Sequence, residues 1–162
     1  MLEEYKNKRK FNQTPEPSGK IDDKNSNRFV IQEHHATNLH WDFRLELDGI
    51  LKSWAVPKNL PEKIGEKHLA VETEDHPVEY INFEGEIPEG NYGAGTVKIW
   101  DAGNYDMLEQ KKDSLKFILH GKKLKSEYHM FKPNFKDSKG TEWLVIKSDN
   151  SKKTIDKVGK KL

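Results

Sequence analysis

His34-His35-Ala36-Thr37-Asn38-Leu39-His40-Trp41-Asp42-Phe43-Arg44-Leu45-Glu46-Leu47-Asp48-Gly49 decides the fold. Its second half alternates without a break. Successive side chains of a strand point to opposite faces, so His40, Asp42, Arg44 and Glu46 share one face and Trp41, Phe43, Leu45 and Leu47 the other. The apolar face predicts a core. The polar face carries two metal-ligating types and a cation, where an ordinary solvent face carries Lys, Thr and Ser. His34 lies six residues before His40, and Ala36-Thr37-Asn38 can turn the chain so that it folds back beside Asp42. Two imidazoles and a carboxylate suit a divalent transition metal. Arg44, one pleat beyond Asp42, is placed to hold a phosphate or carboxylate. The competing reading is a surface ion pair with solvated loop histidines.

Working outward, Asp48-Gly49 is a two-residue hairpin signal that returns the chain through residues 50–56 to Pro57. Further strands are expected at 28–32, 68–74, 96–100 and 142–147. Residues 115–119 and 126–131 read as a hairpin pair around His120-Gly121. Leu2 to Phe11 reads as a short basic helix ended by Thr14-Pro15-Glu16-Pro17-Ser18-Gly19. Many short strands and little helical periodicity predict a mainly β, single-domain barrel with a short N-terminal helix and polar loops. The inward polar strand face suggests a wet interior groove. The expected division is an N-terminal helix and linker over 1–27, a barrel over 28–148 and a basic tail over 149–162.

The 162 residues suffice for a real core, but 33% hydrophobic and 34% charged residues make it a modest one. With no cysteine, a metal must rest on histidine and carboxylate. No transmembrane run or signal peptide is visible, so no membrane partner and a cytoplasmic location are the default expectations. The net charge of +1 hides an uneven distribution. Residues 1–28 carry a net +2, residues 147–162 a net +4, and the middle a net −5. Nucleic-acid binding by bulk charge does not look like this. A phosphate substrate has to be attracted locally.

Two other motifs stand out. His76 ends a strand and precedes Pro77, which suits either a general acid or a turn-shaping histidine; Tyr80 four residues on reads first as a packing residue. Gly90-x-x-Gly93-x-Gly95 opens a strand rather than a helix, so tight turns explain it better than a dinucleotide cradle does.

Phe29-Val30-Ile31-Gln32-Glu33-His34, the run Leu39 to Gly49, Leu51-Lys52-Ser53-Trp54-Ala55-Val56-Pro57-Lys58, Glu74-Asp75-His76-Pro77 and Glu84-Gly85-x-Ile87-Pro88-Glu89-Gly90-x-Tyr92-Gly93-Ala94-Gly95-Thr96-Val97 together closely resemble the 3′-phosphoesterase domain of bacterial DNA ligase D. Lys8-Arg9-x-Phe11 and Thr14 to Gly19 resemble its N-terminal segment. The resemblance implies a manganese-dependent β-barrel enzyme that removes a 3′-terminal ribonucleoside from DNA or RNA ends. It then removes the 3′-phosphate, leaving a 3′-hydroxyl. By position it implies His34, His40 and Asp42 as metal ligands. Arg44, Lys58, His76 and Tyr80 become the catalytic set, and Arg9, Glu16, Gln32, Ser53 and His68 contact substrate. Three positions depart from the pattern. Trp41 replaces a frequent Tyr, Lys10 an acidic residue, and His68 a common Arg, which makes phosphate binding there weaker or more pH-dependent.

The implied substrate is a DNA or DNA/RNA 3′ end, with a ligase and polymerase acting in trans. In the expected mechanism Arg44 and Lys58 stabilise phosphoryl charge, and His76 protonates the leaving oxygen or positions water. Two rivals remain. One is an Fe(II) facial-triad oxygenase using His40, Asp42 and a third histidine among His76, His120 and His129. The other is a non-catalytic DNA-end-binding module that recruits a ligase.

Overall fold

The Asp48-Gly49 dipeptide shows how local chemistry sets the register. Both residues have positive φ (54° and 83°), the combination a tight hairpin turn requires. It joins β2 (Leu39–Leu47) to β3 (Ile50–Val56), with Leu47 opposite Ile50 and Asp42 opposite Ala55. The computed structural model describes residues 2–18, 26–133 and 140–148. The expected tail over 149–162 and most of the 18–27 connector lie outside the described residues.

Before β2 come helix α1 (Glu3–Asn7), shorter than the Leu2 to Phe11 expected, and strand β1 (Arg28–His35). After β3 follow β4 (Lys67–His76), a 3-10 turn (Val78–Asn82), β5 (Gly85–Ile87) and the long β6 (Gly95–Lys111). The chain then runs through β7 (Ser114–Gly121), β8 (Glu127–Phe131) and β9 (Glu142–Ser148). The sheet order is β1-β2-β3-β4-β9-β8-β7-β6, and β6 returns to pair with β1, closing an antiparallel barrel; β5 adds to the outer part of β6. No helix among the described residues is long and apolar enough to cross a membrane.

The barrel interior is dry. Phe29, Phe43, Trp54, Phe117, Tyr128 and Trp143 come from six strands and pack into one buried cluster. Phe43 stacks on both Trp54 and Phe117 at ring separations of 5.8 and 5.6 Å. This corrects the expected wet interior groove. The apolar face of β2 fills the barrel, and the polar face of β2 looks outward. That outer face is not bare, because a second buried cluster covers it: Tyr5 of the N-terminal segment, Tyr80, Ile81 and Phe83 after β4, and Ile87 of β5 against Val30 and Leu51 of the barrel wall. The polar residues of β2 therefore sit between two apolar layers, under a cover made by sequence-distant segments.

A candidate metal and phosphate site under the N-terminal cover

His34 and His40 are direct cross-strand partners, with Gln32 opposite Asp42 on the next outward-facing pleat. The Ala36-Thr37-Asn38 connection thus folds His34 back as the sequence suggests. His34 Nδ1 lies 3.3 Å from Asp42 Oδ2, and His40 Nε2 lies 3.3 Å from Asp42 Oδ1. The other ring nitrogens are committed elsewhere. His34 Nε2–H donates to the Gly93 carbonyl (2.7 Å), and His40 Nδ1–H donates to the Asn38 carbonyl (2.9 Å). With one ring N–H given to a backbone carbonyl, each imidazole presents its other nitrogen to the carboxylate, where it can carry a proton to Asp42 or, with that proton gone, a metal ion. One ligand atom from each of the three side chains lies within 4.8 Å of the others, so the cluster fits a metal ion. Burial opposes the charge on Asp42, but hydrogen bonds from both histidines and the Arg44 charge hold its carboxyl well below the usual range. The Asp42 hydrogen bond in turn raises His40 despite partial burial.

Arg44 is fixed from one side only. Its Nε donates to Gln32 Oε1 (2.7 Å), and the Gln32 amide nitrogen donates to the carbonyls of Tyr80 and Phe83. The guanidinium lies 4.9 Å from the Tyr80 ring centroid, and one amino group sits 3.7 Å from Asp42. The remaining Nη1 is buried without a hydrogen-bond partner among the described residues. A charged donor left in that state costs free energy unless something fills the place.

Above this floor the N-terminal segment completes the site. Arg9 donates through Nε to Glu16 (2.8 Å), through Nη1 to Glu74 (3.1 Å), and through Nη2 to His76 Nε2 (3.2 Å). Tyr80 and Thr14 hydroxyls also donate to Glu16. Because a guanidinium only donates, His76 Nε2 must accept, and its Nδ1–H donates to the Glu74 carbonyl. Burial together with the Arg44 and Arg9 charges pushes His76 well below the ordinary histidine range. The imidazole is neutral with both nitrogens occupied, an arrangement that offers no proton to a leaving oxygen and leaves the alternative expectation, positioning water, as a proposal.

These groups line a cavity of about 320 Å³ that includes Arg9, Glu16, His34, His40, Asp42, Arg44, His76 and Tyr80. Four of the expected residues stand elsewhere. Gln32 is fully buried, with its amide spent on Arg44 and the backbone, so it positions Arg44 rather than meeting substrate. Ser53 is buried and donates to the Leu51 carbonyl. Lys58 is exposed in the turn after β3 and is not among the cavity-lining residues. His68 is tied to Glu66 (2.8 Å) and the Asn59 carbonyl (2.6 Å), away from the cavity. Lys10 is exposed. His120 pairs with Asp106 and His129 with Ser114, so neither joins the three-donor cluster.

Glu74, Tyr92 and the Gly93 carbonyl belong to the site but were not singled out in the sequence. An irregularity in β4 hides Glu74: Ser53 pairs with Thr73, but Leu51 pairs with His76, so β4 holds one extra residue there. The bulge brings Glu74 and His76 onto the site side, where strict alternation from Thr73 would bring Asp75.

The DNA ligase D 3′-phosphoesterase domain family matches residues 32–132. The multifunctional non-homologous end joining protein LigD of Pseudomonas aeruginosa is 45% identical over 165 residues, covering 96% of this chain and 20% of its own length. The multifunctional non-homologous end joining DNA repair protein LigD of Mycobacterium tuberculosis is 46% identical over 157 residues, covering 93% and 20%. This chain spans about a fifth of the length of these relatives. With most of the barrel, the three-donor cluster and the outward face of β2 inside the matched region, the chain belongs to the DNA ligase D 3′-phosphoesterase domain family.

Proposed function

We propose that this chain is a manganese-dependent phosphoesterase of DNA or DNA/RNA 3′ ends. It removes a terminal ribonucleoside and then the 3′-phosphate. In net terms water is added twice. The first addition breaks the bond between phosphorus and the nucleoside 5′-oxygen, which leaves protonated. The second breaks the bond to the strand's 3′-oxygen, leaving a 3′-hydroxyl and free phosphate. The observation that carries this reading is the Nη1 of Arg44, buried and unpartnered among the described residues, in the same cavity as His34, His40 and Asp42. A phosphoryl oxygen is the partner that chemistry supplies for such a donor.

His34 Nδ1, His40 Nε2 and an Asp42 oxygen would hold the ion, and an ion held there supplies Lewis-acid polarisation of a phosphoryl oxygen. Imidazole-rich donors favour Mn²⁺ over Mg²⁺, which prefers oxygen. Arg44 binds the phosphoryl group and stabilises the charge that grows on it, in a place already shielded from water. Arg9, locked by Glu16, Glu74 and His76, adds a second fixed cation. His76 stays neutral and orients that cation. Tyr80 supplies the ring beneath Arg44 and a hydroxyl that fixes Glu16. A ligase and polymerase in trans would consume the healed end.

The test is a 3′-phosphorylated primer with Mn²⁺, with Mg²⁺ and with EDTA. Turnover restored best by Mn²⁺ is the expected result; equal turnover in EDTA refutes the metal role. Primer binding without turnover under any metal would identify an end-binding module instead. Oxygen-dependent turnover would identify an oxygenase.

A further inference from the structure

A second cavity, of about 550 Å³, adjoins the first, and Thr73, Glu74 and Tyr92 line both. Its volume is in the range of small-molecule sites. Tyr92 is one of few large hydrophobic side chains left exposed, at 46%. Its place is nonetheless fixed. Gly90 and Gly93 adopt left-handed φ values (88° and 77°) on either side of it, and the Gly93 carbonyl accepts the His34 hydrogen bond. The ring position is therefore tied to the donor cluster. Lys8 Nζ and Arg9 Cζ lie 4.6 and 5.3 Å from the ring centroid.

The charges of the two cavities differ. The first sets Arg9 and Arg44 against Glu16, Asp42 and Glu74, and an ion in the three-donor cluster would add two positive charges. The second is lined by Glu4, Glu72, Glu74 and Asp75 against Lys8 and Lys132. Glu74 and Glu72 are satisfied by Lys8, Arg9 and Lys52. Glu4 pairs with Lys8 (3.6 Å), and the Asp75 carboxylate makes no hydrogen bond or ion pair among the described residues. A diester bound at Arg44 has a strand on one side, carrying further phosphates, and the departing group on the other. A strand does not run favourably into a carboxylate excess. An uncharged nucleoside does, because its hydroxyl and amino groups donate to carboxylates and its base stacks on an exposed ring.

We infer that the second cavity seats the departing nucleoside, its base against Tyr92, and that its carboxylates reject a departing group bearing another phosphate. The inference rests on the phosphoesterase reading. It gives Tyr92 and Asp75 the role of choosing the leaving group.

The full chain with Mn²⁺ is assayed in single turnover on primers ending in one ribonucleoside, in one ribose lacking its base, and in two ribonucleotides. Tyr92→Ala should weaken cleavage of the nucleoside end by roughly 5- to 150-fold, the span of one lost base–aromatic stack. It should weaken cleavage of the base-free end by no more than about twofold, and Tyr92→Phe, which keeps the ring and loses only the Lys8 hydrogen bond, should retain most of the nucleoside-end rate. On the two-ribonucleotide end, wild type should release nucleosides and no dinucleotide, while Asp75→Asn should begin to release dinucleotide. Equal loss on the nucleoside and base-free ends in Tyr92→Ala overturns the stacking role. Ready dinucleotide release by wild type overturns the charge filter, and either result leaves the phosphoesterase reading standing. Wild type that cleaves none of the three ends overturns both.

Discussion

Asp42 and Arg44 are two positions apart on one strand face, yet they should fail in different ways. Asp42→Asn keeps the shape and removes the charge, so Mn²⁺ affinity and turnover should fall together. Arg44→Ala leaves all three donors, so Mn²⁺ should still bind while the rate drops by about 2–4 kcal/mol, roughly 30- to 1,000-fold. Mn²⁺ titration beside single-turnover cleavage separates the two; loss of metal in Arg44→Ala would refute the assignment. His76 makes a prediction in pH. Its folded pKa is depressed, so its stabilising contribution is complete above the unfolded value near 6.5 and is lost as pH falls below it. His40 has the opposite sign: raised in the fold, it stabilises fully below about 6.5 and loses that contribution as pH rises. In metal-free protein, His76→Gln should therefore flatten the fall in Tm between about pH 6.5 and 5, where ordinary carboxylates remain ionised. A wild-type slope unchanged in the mutant would show that His76 is not the neutral group described. At this scale the three-donor cluster was legible, because alternation puts His40 and Asp42 on one face and the short turn returns His34 to it. The duty of Gln32 was not, since a side chain that holds Arg44 and one that holds substrate read alike in sequence.

Among the elements, two close contacts carry disproportionate weight. Gly95 has φ of 138°, and a Cβ there would stand 2.2 Å from the His35 carbonyl oxygen, where β6 crosses β1 beside His34. Gly95→Ala should lower Tm and weaken Mn²⁺ binding together, since His34 moves with that carbonyl. Thermal melting and metal titration of one variant check this, and a wild-type melt would show that the strands can part without cost. Asp101 is buried and accepts the amides of Ala102, Lys122, Lys123 and Leu124. It thereby fixes the turn between β7 and β8. Asp101→Ala strands these donors and should cost about 3 kcal/mol or more in chemical denaturation, with catalysis of the remaining folded protein intact. The sequence showed most strands because each is a short alternating or apolar run bounded by turn residues. It did not show β5, only three residues long, or the extra residue in β4. An insertion into a ladder breaks the alternation on which such reading depends.

For the molecule as a whole, on the proposed reading, the near-neutral balance of charge governs how it meets nucleic acid. The middle of the chain is net negative, and the cations that matter are buried under the N-terminal cover. Binding of a single-stranded 3′ end through about two phosphates should weaken only roughly 5- to 10-fold between about 50 and 200 mM salt. A loss of a hundredfold or more, measured by fluorescence anisotropy, would mean that a long basic track does the binding. Barrel closure makes a complementary prediction. Trp54 is fully buried among Phe43 and Trp143, so Trp54→Ala should cost about 3–5 kcal/mol of stability, read as one cooperative unfolding transition.

The dry interior has a practical consequence for engineering. β2 serves two purposes at alternate positions: Trp41, Phe43 and Leu45 pack the inside, and His40, Asp42 and Arg44 line the cavity outside. Residue parity along one strand therefore separates two optimisation problems. A library confined to the inward positions of all the barrel strands can be selected for heat tolerance with no change to which ends are accepted. A library on the outward positions and the N-terminal cover can be selected for new leaving groups on an unaltered chassis. Crossing the winners afterwards should give nearly additive gains, apart from positions whose backbones are neighbours in the ladder.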